Sequence, residues 1–259
     1  MTTIAFTRPR DRLEGSVRAA ESLGFRPLAA PSLRVLPGDG EAMDSFFAEL
    51  ASGKVDAALF TSVTAVDACA RRLGDEGGLA RLLRRCELIA IGRATRDRLA
   101  QLGAEEALMP AAYTSEGLIE DFSSSLAGKR AVLLRSDKGT PLLREALAAA
   151  GADVREIHAY RLEAEAIGED MERIAAEAAS GDVDAFAFSS ALSALTFLDH
   201  AFRLLGEGSA RAALADSTVA AIGPPTADAL RNEDVRVDVV ASQADFRCML
   251  EDVKAFLRS

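Results

Sequence analysis

Val55-Asp-Ala-Ala-Leu-Phe-Thr-Ser62 and Val183-Asp-Ala-Phe-Ala-Phe-Ser-Ser190 are two versions of one pattern, an apolar run ending in a pair of hydroxyl side chains. They lie 128 residues apart. A second pair, Ala90-Ile-Gly-Arg-Ala-Thr95 and Ala221-Ile-Gly-Pro-Pro-Thr226, repeats at 131 residues, and Arg8 and Arg135, each closing an apolar run, repeat at 127. Three echoes in one order, with a drift that a few loop residues absorb, argue for a duplicated strand-helix unit.

The apolar runs Thr3–Thr7, Ala57–Phe60, Leu88–Ile91, Ala131–Leu134, Ala185–Phe188 and Val219–Ile222 read as strands buried on both faces, as a parallel sheet requires. Helical periods follow them. After Arg8-Pro9-Arg10, residues Leu13, Val17, Ala20 and Leu23 make a stripe that stops at Gly24, and after Arg135 the helical stretch Leu142–Ala150 stops at Gly151. The expected fold class is α/β, with two parallel-sheet domains. Pro31–Pro37 and Val154–Ala164 alternate like strands and fall where the chain would pass between the domains. They predict a two-stranded connector, side by side, that lets the domains close across a cleft.

A chain of 259 residues with 49% hydrophobic content is long enough for two such cores. Forty acidic against 30 basic residues give a net charge of −10, which disfavours nucleic acid and anionic membrane as partners. Cys69, Cys86 and Cys248 are odd in number and widely spaced, so they read as packing residues rather than a disulfide or metal set. The N-terminal apolar stretch is too short for a signal peptide, and no run of about 18 apolar residues occurs. A cytoplasmic protein is expected.

Ligands of open parallel sheets collect at the carboxyl ends of the strands, where helix N-termini present unpaired N–H groups. That edge holds Thr7, Arg8 and Arg10; Thr61, Ser62 and Thr64; Gly92, Arg93 and Thr95; Arg135, Ser136 and Lys138; Ser189 and Ser190; and Gly223 and Thr226. Amides, hydroxyls and cations suit an anionic ligand. The same residue types serve as ordinary caps and turns, so only their recurrence adds weight. Gly92-Arg-Ala-Thr and Gly223-Pro-Pro-Thr lack the further glycines of a dinucleotide fingerprint, and Lys138-Gly-Thr is not a phosphate-binding loop. His158 and His200 fit neither a zinc spacing nor a nucleophilic triad. Tyr160, one of two tyrosines, falls on the second crossover beside Arg161. Its phenol reads either as a hydrogen-bond or proton donor to a ligand or as a half-buried packing group.

Phe6-Thr-Arg-Pro, Phe60-Thr-Ser-Val-Thr-Ala-Val, Ala90-Ile-Gly-Arg-Ala-Thr, Tyr113-Thr-Ser-Glu-Gly-Leu118, His158-Ala-Tyr-Arg161, Phe188-Ser-Ser and Ala221-Ile-Gly-Pro-Pro-Thr226, taken in order, resemble the uroporphyrinogen-III synthase family over nearly the whole chain. The resemblance implies two flavodoxin-like domains, one discontinuous: residues 1–34 with 164–259, and 38–159, joined by connectors near 31–37 and 158–164. It implies an enzyme, a cyclising hydro-lyase of haem, sirohaem and cobalamin biosynthesis. Linear hydroxymethylbilane would lose its terminal hydroxyl and close with inversion of ring D, with no metal or organic cofactor.

The resemblance also implies site residues. Tyr160 matches a tyrosine proposed to assist loss of the hydroxyl, and Thr95 a threonine implicated in activity. Arg8, Thr61, Ser62, Gly92, Arg93, Arg135, Arg161, Ser189, Ser190, Gly223 and Thr226 are the expected substrate-binding residues. Implied partners are the linear tetrapyrrole and the cyclic uroporphyrinogen product, with a monomer making transient contact with hydroxymethylbilane synthase. The chain departs from the family at Val63-Thr64, where Pro-Arg often stands, at Pro225-Thr226, where Thr-Thr is common, and at Ala241–Asp245. The competing expectation is a two-domain cleft protein that binds a small anionic metabolite for sensing or regulation and performs no chemistry.

Overall fold

The computed structural model describes residues 1–258, Asp11 by its backbone alone. In chain order the elements are β1 (Thr3–Arg8), α1 (Arg10–Ser22), β2 (Arg26–Pro31), β3 (Leu33–Pro37), α2 (Gly40–Ala51), β4 (Ala57–Phe60), α3 (Val63–Leu73), α4 (Glu76–Leu83), β5 (Glu87–Ala90), α5 (Arg93–Gln101), α6 (Ser115–Leu126) and β6 (Arg130–Ser136). They continue as α7 (Leu142–Ala149), β7 (Asp153–Ala164), α8 (Glu169–Ala179), β8 (Ala185–Phe188), α9 (Ala191–Leu205), α10 (Glu207–Asp216), β9 (Thr218–Ala221), α11 (Pro224–Asn232), β10 (Val239–Val240) and α12 (Phe246–Phe256).

The chain divides into two compact units. One comprises Met1–Arg34 with Glu163–Ser259, the other Val35–Leu162. The first holds a parallel sheet in the order β10-β9-β8-β1-β2. Counted within the unit this is 2-1-3-4-5, the doubly wound order of flavodoxin-like folds, with its switch point between β1 and β8. The second sheet runs β3-β7-β6-β4-β5, in which β7, β6, β4 and β5 are parallel.

Period-2 alternation sorts each strand's side chains onto two cores. In the second unit Ala58, Phe60, Val132 and Leu134 face one buried cluster with α2 to α5, while Ala57, Leu59, Ala131 and Leu133 face another with α6 and α7. The first unit repeats the scheme. Ala5, Phe186 and Phe188 face α8 to α11, and Ile4, Phe6, Ala185 and Ala187 face α1 and α12. A strand of four residues such as β4 or β8 is therefore buried throughout, and burying each phenylalanine contributes about 1.5–3 kcal/mol. Helices close the layers because their starts are capped: the side chains of Asp39, Ser62, Asp75, Thr114, Ser190 and Asp245 each accept a first-turn N–H.

One stretch differs in extent from the sequence reading. Pro31–Pro37 is not one extended segment: β2 ends at Pro31, Ser32 intervenes, and β3 begins at Leu33. Strand β2 itself carries two prolines, which hide a strand from pattern reading and are tolerated because β2 is the sheet's edge. Strand β3 lies beside β7 in the second sheet, and the border between the units crosses both strands.

Candidate active site

Strand β6 ends in Arg135 and Ser136, and its pairing with β7 slips there: Arg135 pairs with His158 but Ser136 with Tyr160. The bulge re-aims the strand end, a common device beside functional sites. Three contacts then fix the strand from His158 to Leu162, one of them on Tyr160 itself. The Asp137 N–H donates to the Tyr160 carbonyl at 3.3 Å, the Leu162 N–H donates to the Asp137 carboxylate at 2.9 Å, and the Asp39 N–H donates to the His158 carbonyl at 2.9 Å. Gly38 makes the last approach possible, because a Cβ there would stand 2.0 Å from the His158 carbonyl oxygen. Tyr160 is only 8% exposed, packed in the α2–α5 core, and its hydroxyl is 3.1 Å from Ser62 Oγ. Ser62 is also the N-cap of α3, its Oγ accepting the Ala65 N–H at 3.1 Å.

The other second-unit residues expected from the sequence follow β4 and β5 or lie on β7. Thr61 directs both its N–H and its hydroxyl at the Leu134 carbonyl, at 3.3 and 3.5 Å, so it ties β4 to β6. Gly92 caps α5 with extended backbone, and Tyr113 packs 3.4 Å from where its Cβ would be. Arg93 donates from Nε to the Tyr113 hydroxyl at 2.9 Å and lies 5.6 Å from that ring's centroid. Thr95, on the first turn of α5, is buried. Arg161 is exposed and donates to the Pro37 carbonyl at 3.3 Å.

Arg135 is 7% exposed, donates to the Thr140 carbonyl at 2.8 Å, and has a buried Nε–H without a partner. Among the described residues no carboxylate pairs with it. The Lys138–Thr140 loop folds over the guanidinium so closely that a Cβ on Gly139 would overlap it at 1.8 Å. A buried cation without a counter-charge is costly, and a ligand carboxylate relieves that cost.

The equivalent edge of the first unit is organised differently. Arg8 lies 4.5 Å over the Phe246 ring. Ser190 caps α9 through the Ser193 N–H at 3.1 Å, and its hydroxyl also meets Ser193 Oγ at 3.0 Å. Ser193 Oγ in turn meets Ser32 Oγ at 3.1 Å, and the Thr7 hydroxyl donates to the Ser193 carbonyl at 3.5 Å. Ser189 is half-buried beside this chain of hydroxyls, Gly223 caps α11 with extended backbone, and Thr226 is buried on the first turn of α11.

The structure thus brings Tyr160, Ser62, Thr61 and Arg135 to one edge of the second unit and Arg8, Ser189, Ser190, Gly223 and Thr226 to one edge of the first. Missed by sequence reasoning were Gly38 and Gly139, whose close approaches shape the Tyr160 and Arg135 surroundings, and Tyr113 as the partner of Arg93. Pro37-Gly38-Asp39 carried a signal, a turn dipeptide just ahead of a capping aspartate. Burial pushes the Cys69 thiol up to about 12, which suits its packing role. Among the described residues no group of three or more His, Cys, Asp or Glu side chains is placed to hold a metal, and no helix is long and apolar enough to cross a membrane.

Comparison with known proteins gives these edges a context. The family model described as "Uroporphyrinogen-III synthase HemD" matches residues 15–251. A protein of Archaeoglobus fulgidus named "Putative uroporphyrinogen-III synthase" is 32% identical over 236 residues, covering 91% of each chain. One of the same name from Methanothermobacter thermautotrophicus is 28% identical, covering 86% of each. Among solved structures, a mutant uroporphyrinogen III synthase from the extremely thermophilic bacterium Thermus thermophilus is similar over 100% of this chain and 99% of its own, with 28% identity and a TM-score of 0.68. A match of this extent settles the grouping: the chain belongs to the uroporphyrinogen-III synthase family.

Proposed function

We propose that this chain converts hydroxymethylbilane to uroporphyrinogen III, releasing water and inverting ring D, in tetrapyrrole biosynthesis. Family membership supports the reaction, and a non-catalytic metabolite binder is not favoured. The observation that carries the mechanism is the hydrogen bond between the Tyr160 phenol and the serine that caps α3.

In this reading Tyr160 assists departure of the terminal hydroxyl. The C–O bond breaks with its electron pair on oxygen, the phenol proton joins that oxygen, and water leaves. Positive charge remains on the pyrrole system and negative charge on the phenolate, beside the N-terminus of a helix. Ring D then attacks through its substituted carbon to give a spiro intermediate, which fragments and recloses inverted. The proton lost from the closing ring carbon restores the phenol, so one water is the net product.

Substrate carboxylates occupy the amide-rich strand ends, where each helix N-terminus contributes about 0.3–1 kcal/mol. Arg135 is the leading cation for one of them, with Arg8, Arg93, Arg161, Ser189, Ser190, Gly92, Gly223 and Thr226 as further contacts. Thr61 and the buried Thr95 shape the second-unit edge from beneath. Holding a flexible polycarboxylate curled, so that its ends meet in one of two ways, is a proximity task that needs no strong acid or base. We place the enzyme in the cytoplasm as a monomer that receives its unstable substrate from hydroxymethylbilane synthase.

The test supplies enzymatically generated hydroxymethylbilane and separates the oxidised products by chromatography. The type III isomer is expected. Type I alone, formed at the spontaneous rate, overturns the assignment.

A further inference from the structure

We infer that Ser62 is a positioning residue for Tyr160, donating its hydroxyl hydrogen to the phenol oxygen so that the phenol's own hydrogen points to the substrate; the inference rests on the synthase reading above. A serine hydroxyl has one hydrogen and two acceptor lone pairs. The Ala65 N–H occupies one lone pair at 3.1 Å, as the N-cap of α3 requires. The remaining contact is Tyr160, at 3.1 Å. Of the two ways to arrange that contact, only donation from Ser62 leaves the phenol free to give its proton away. The same donation then meets the negative charge that forms on the phenolate, and the N–H bond to Ala65 polarises the serine in the direction that strengthens it.

The surroundings hold the pair in place. Tyr160 is 8% exposed, so its ring cannot swing to a new partner without leaving the core. Its carbonyl accepts the Asp137 N–H, and the strand on either side of it is held at Leu162 by the Asp137 carboxylate and at His158 by the Asp39 N–H. In the first unit the equivalent serine, Ser190, meets another serine instead, so the cap alone does not call for a phenol. Substrate contact belongs to Tyr160, and Ser62 acts through it.

The experiment measures kcat and KM for type III formation by the full chain carrying Ser62→Asp, Ser62→Thr, Tyr160→Phe and the Ser62→Asp/Tyr160→Phe double change. Aspartate caps a helix as well as serine does but can only accept, so it captures the phenol hydrogen. Expected are a fall in kcat of about tenfold for Ser62→Asp with KM little changed, and a double variant no slower than Tyr160→Phe alone. Ser62→Thr, which keeps both the acceptor and the hydroxyl hydrogen, should recover most of the lost rate. Losses that multiply in the double variant, or a Ser62→Asp enzyme that keeps its kcat while Tyr160→Phe is slow, overturn the inference and leave the synthase reading standing. Should Ser62→Asp fail to fold, Ser62→Thr decides: a kcat as low as that of Tyr160→Phe in a folded Thr variant contradicts it. A wild-type chain that makes no type III isomer defeats the synthase reading and takes this inference with it.

Discussion

Ser62 and Ser190 occupy the same place in two copies of one design, and they do different things. Each follows a four-residue buried strand, caps the next helix, and accepts the N–H three residues on. In the first unit the hydroxyl joins Ser193 and Ser32 in a buried chain that ends within the protein. In the second, the bulge between Arg135 and Ser136 brings Tyr160 to the corresponding spot, and the chain ends in a phenol. A duplicated fold supplies two amide-rich edges from one design, and one irregularity in one strand accompanies a phenol at only one of them.

The arginines that close β1 and β6 sharpen the contrast. Arg8 spreads over the Phe246 ring, a contact worth about 0.5–2 kcal/mol. Arg135 is folded under its own loop, where it donates to the Thr140 carbonyl and, among the described residues, has no carboxylate beside it.

The largest effect that separates the two edges is on turnover. Tyr160→Phe should lower kcat about 100-fold, within the range for loss of a general acid, while Ser32→Ala in the first unit should leave kcat within about threefold. Equal losses from both would erase the distinction. Next comes stability: Ser193→Ala strips partners from Ser32 and Ser190 in a buried setting and should cost about 1–3 kcal/mol in denaturant unfolding. Ser62→Ala, which loses a cap at the edge of the core, should cost about 1 kcal/mol, so a larger loss at Ser62 than at Ser193 would reverse the comparison.

A third test concerns the cations. Arg135→Gln should raise KM about tenfold with a smaller change in kcat, the mark of a contact made equally in ground and transition states. An unchanged KM would return Arg135 to a loop-holding role. The smallest effect is a matter of pH. His200 on α9 is buried, and burial holds its imidazole below the usual 6.5, with Arg203 adding to the shift and Asp199 opposing it. Below 6.5 the unfolded chain binds the proton more readily than the folded one, so the first unit should lose stability as pH falls from 6.5 towards the lowered value. Its counterpart 128 residues earlier, Arg72 on α3, is paired with Asp44, whose carboxyl is held below 3.8. That pair's contribution persists until much more acid conditions. His200→Gln should flatten the melting temperature between pH 7 and 5, and a profile unchanged by it would sever the link.

The sequence carried the repeating parts of this molecule and lost the irregular ones. Ala57–Phe60 and Ala185–Phe188 were legible to the residue because a short apolar run between a turn and a hydroxyl pair has few other readings. Strand β2 was hidden by Pro27 and Pro31, and β10, at two residues, is too short to show a period. Tyr160 stood out by scarcity and by resemblance and Ser62 by its place in the echo, but their pairing did not, because the bulge beside Tyr160 is set by how β6 and β7 pair and leaves no mark in either strand's composition. Gly38 and Gly139 were illegible for a similar reason. Their role is the absence of a side chain at a close approach, which only the folded chain reveals.

The claim that one edge carries the chemistry is tested most directly by the isomer composition of the product, measured for the wild-type chain and for Tyr160→Phe on freshly generated hydroxymethylbilane. The account predicts mostly type III from the wild type, with type I rising in the variant as slow turnover lets spontaneous closure compete. Type I from both, in the proportion found without protein, would contradict it.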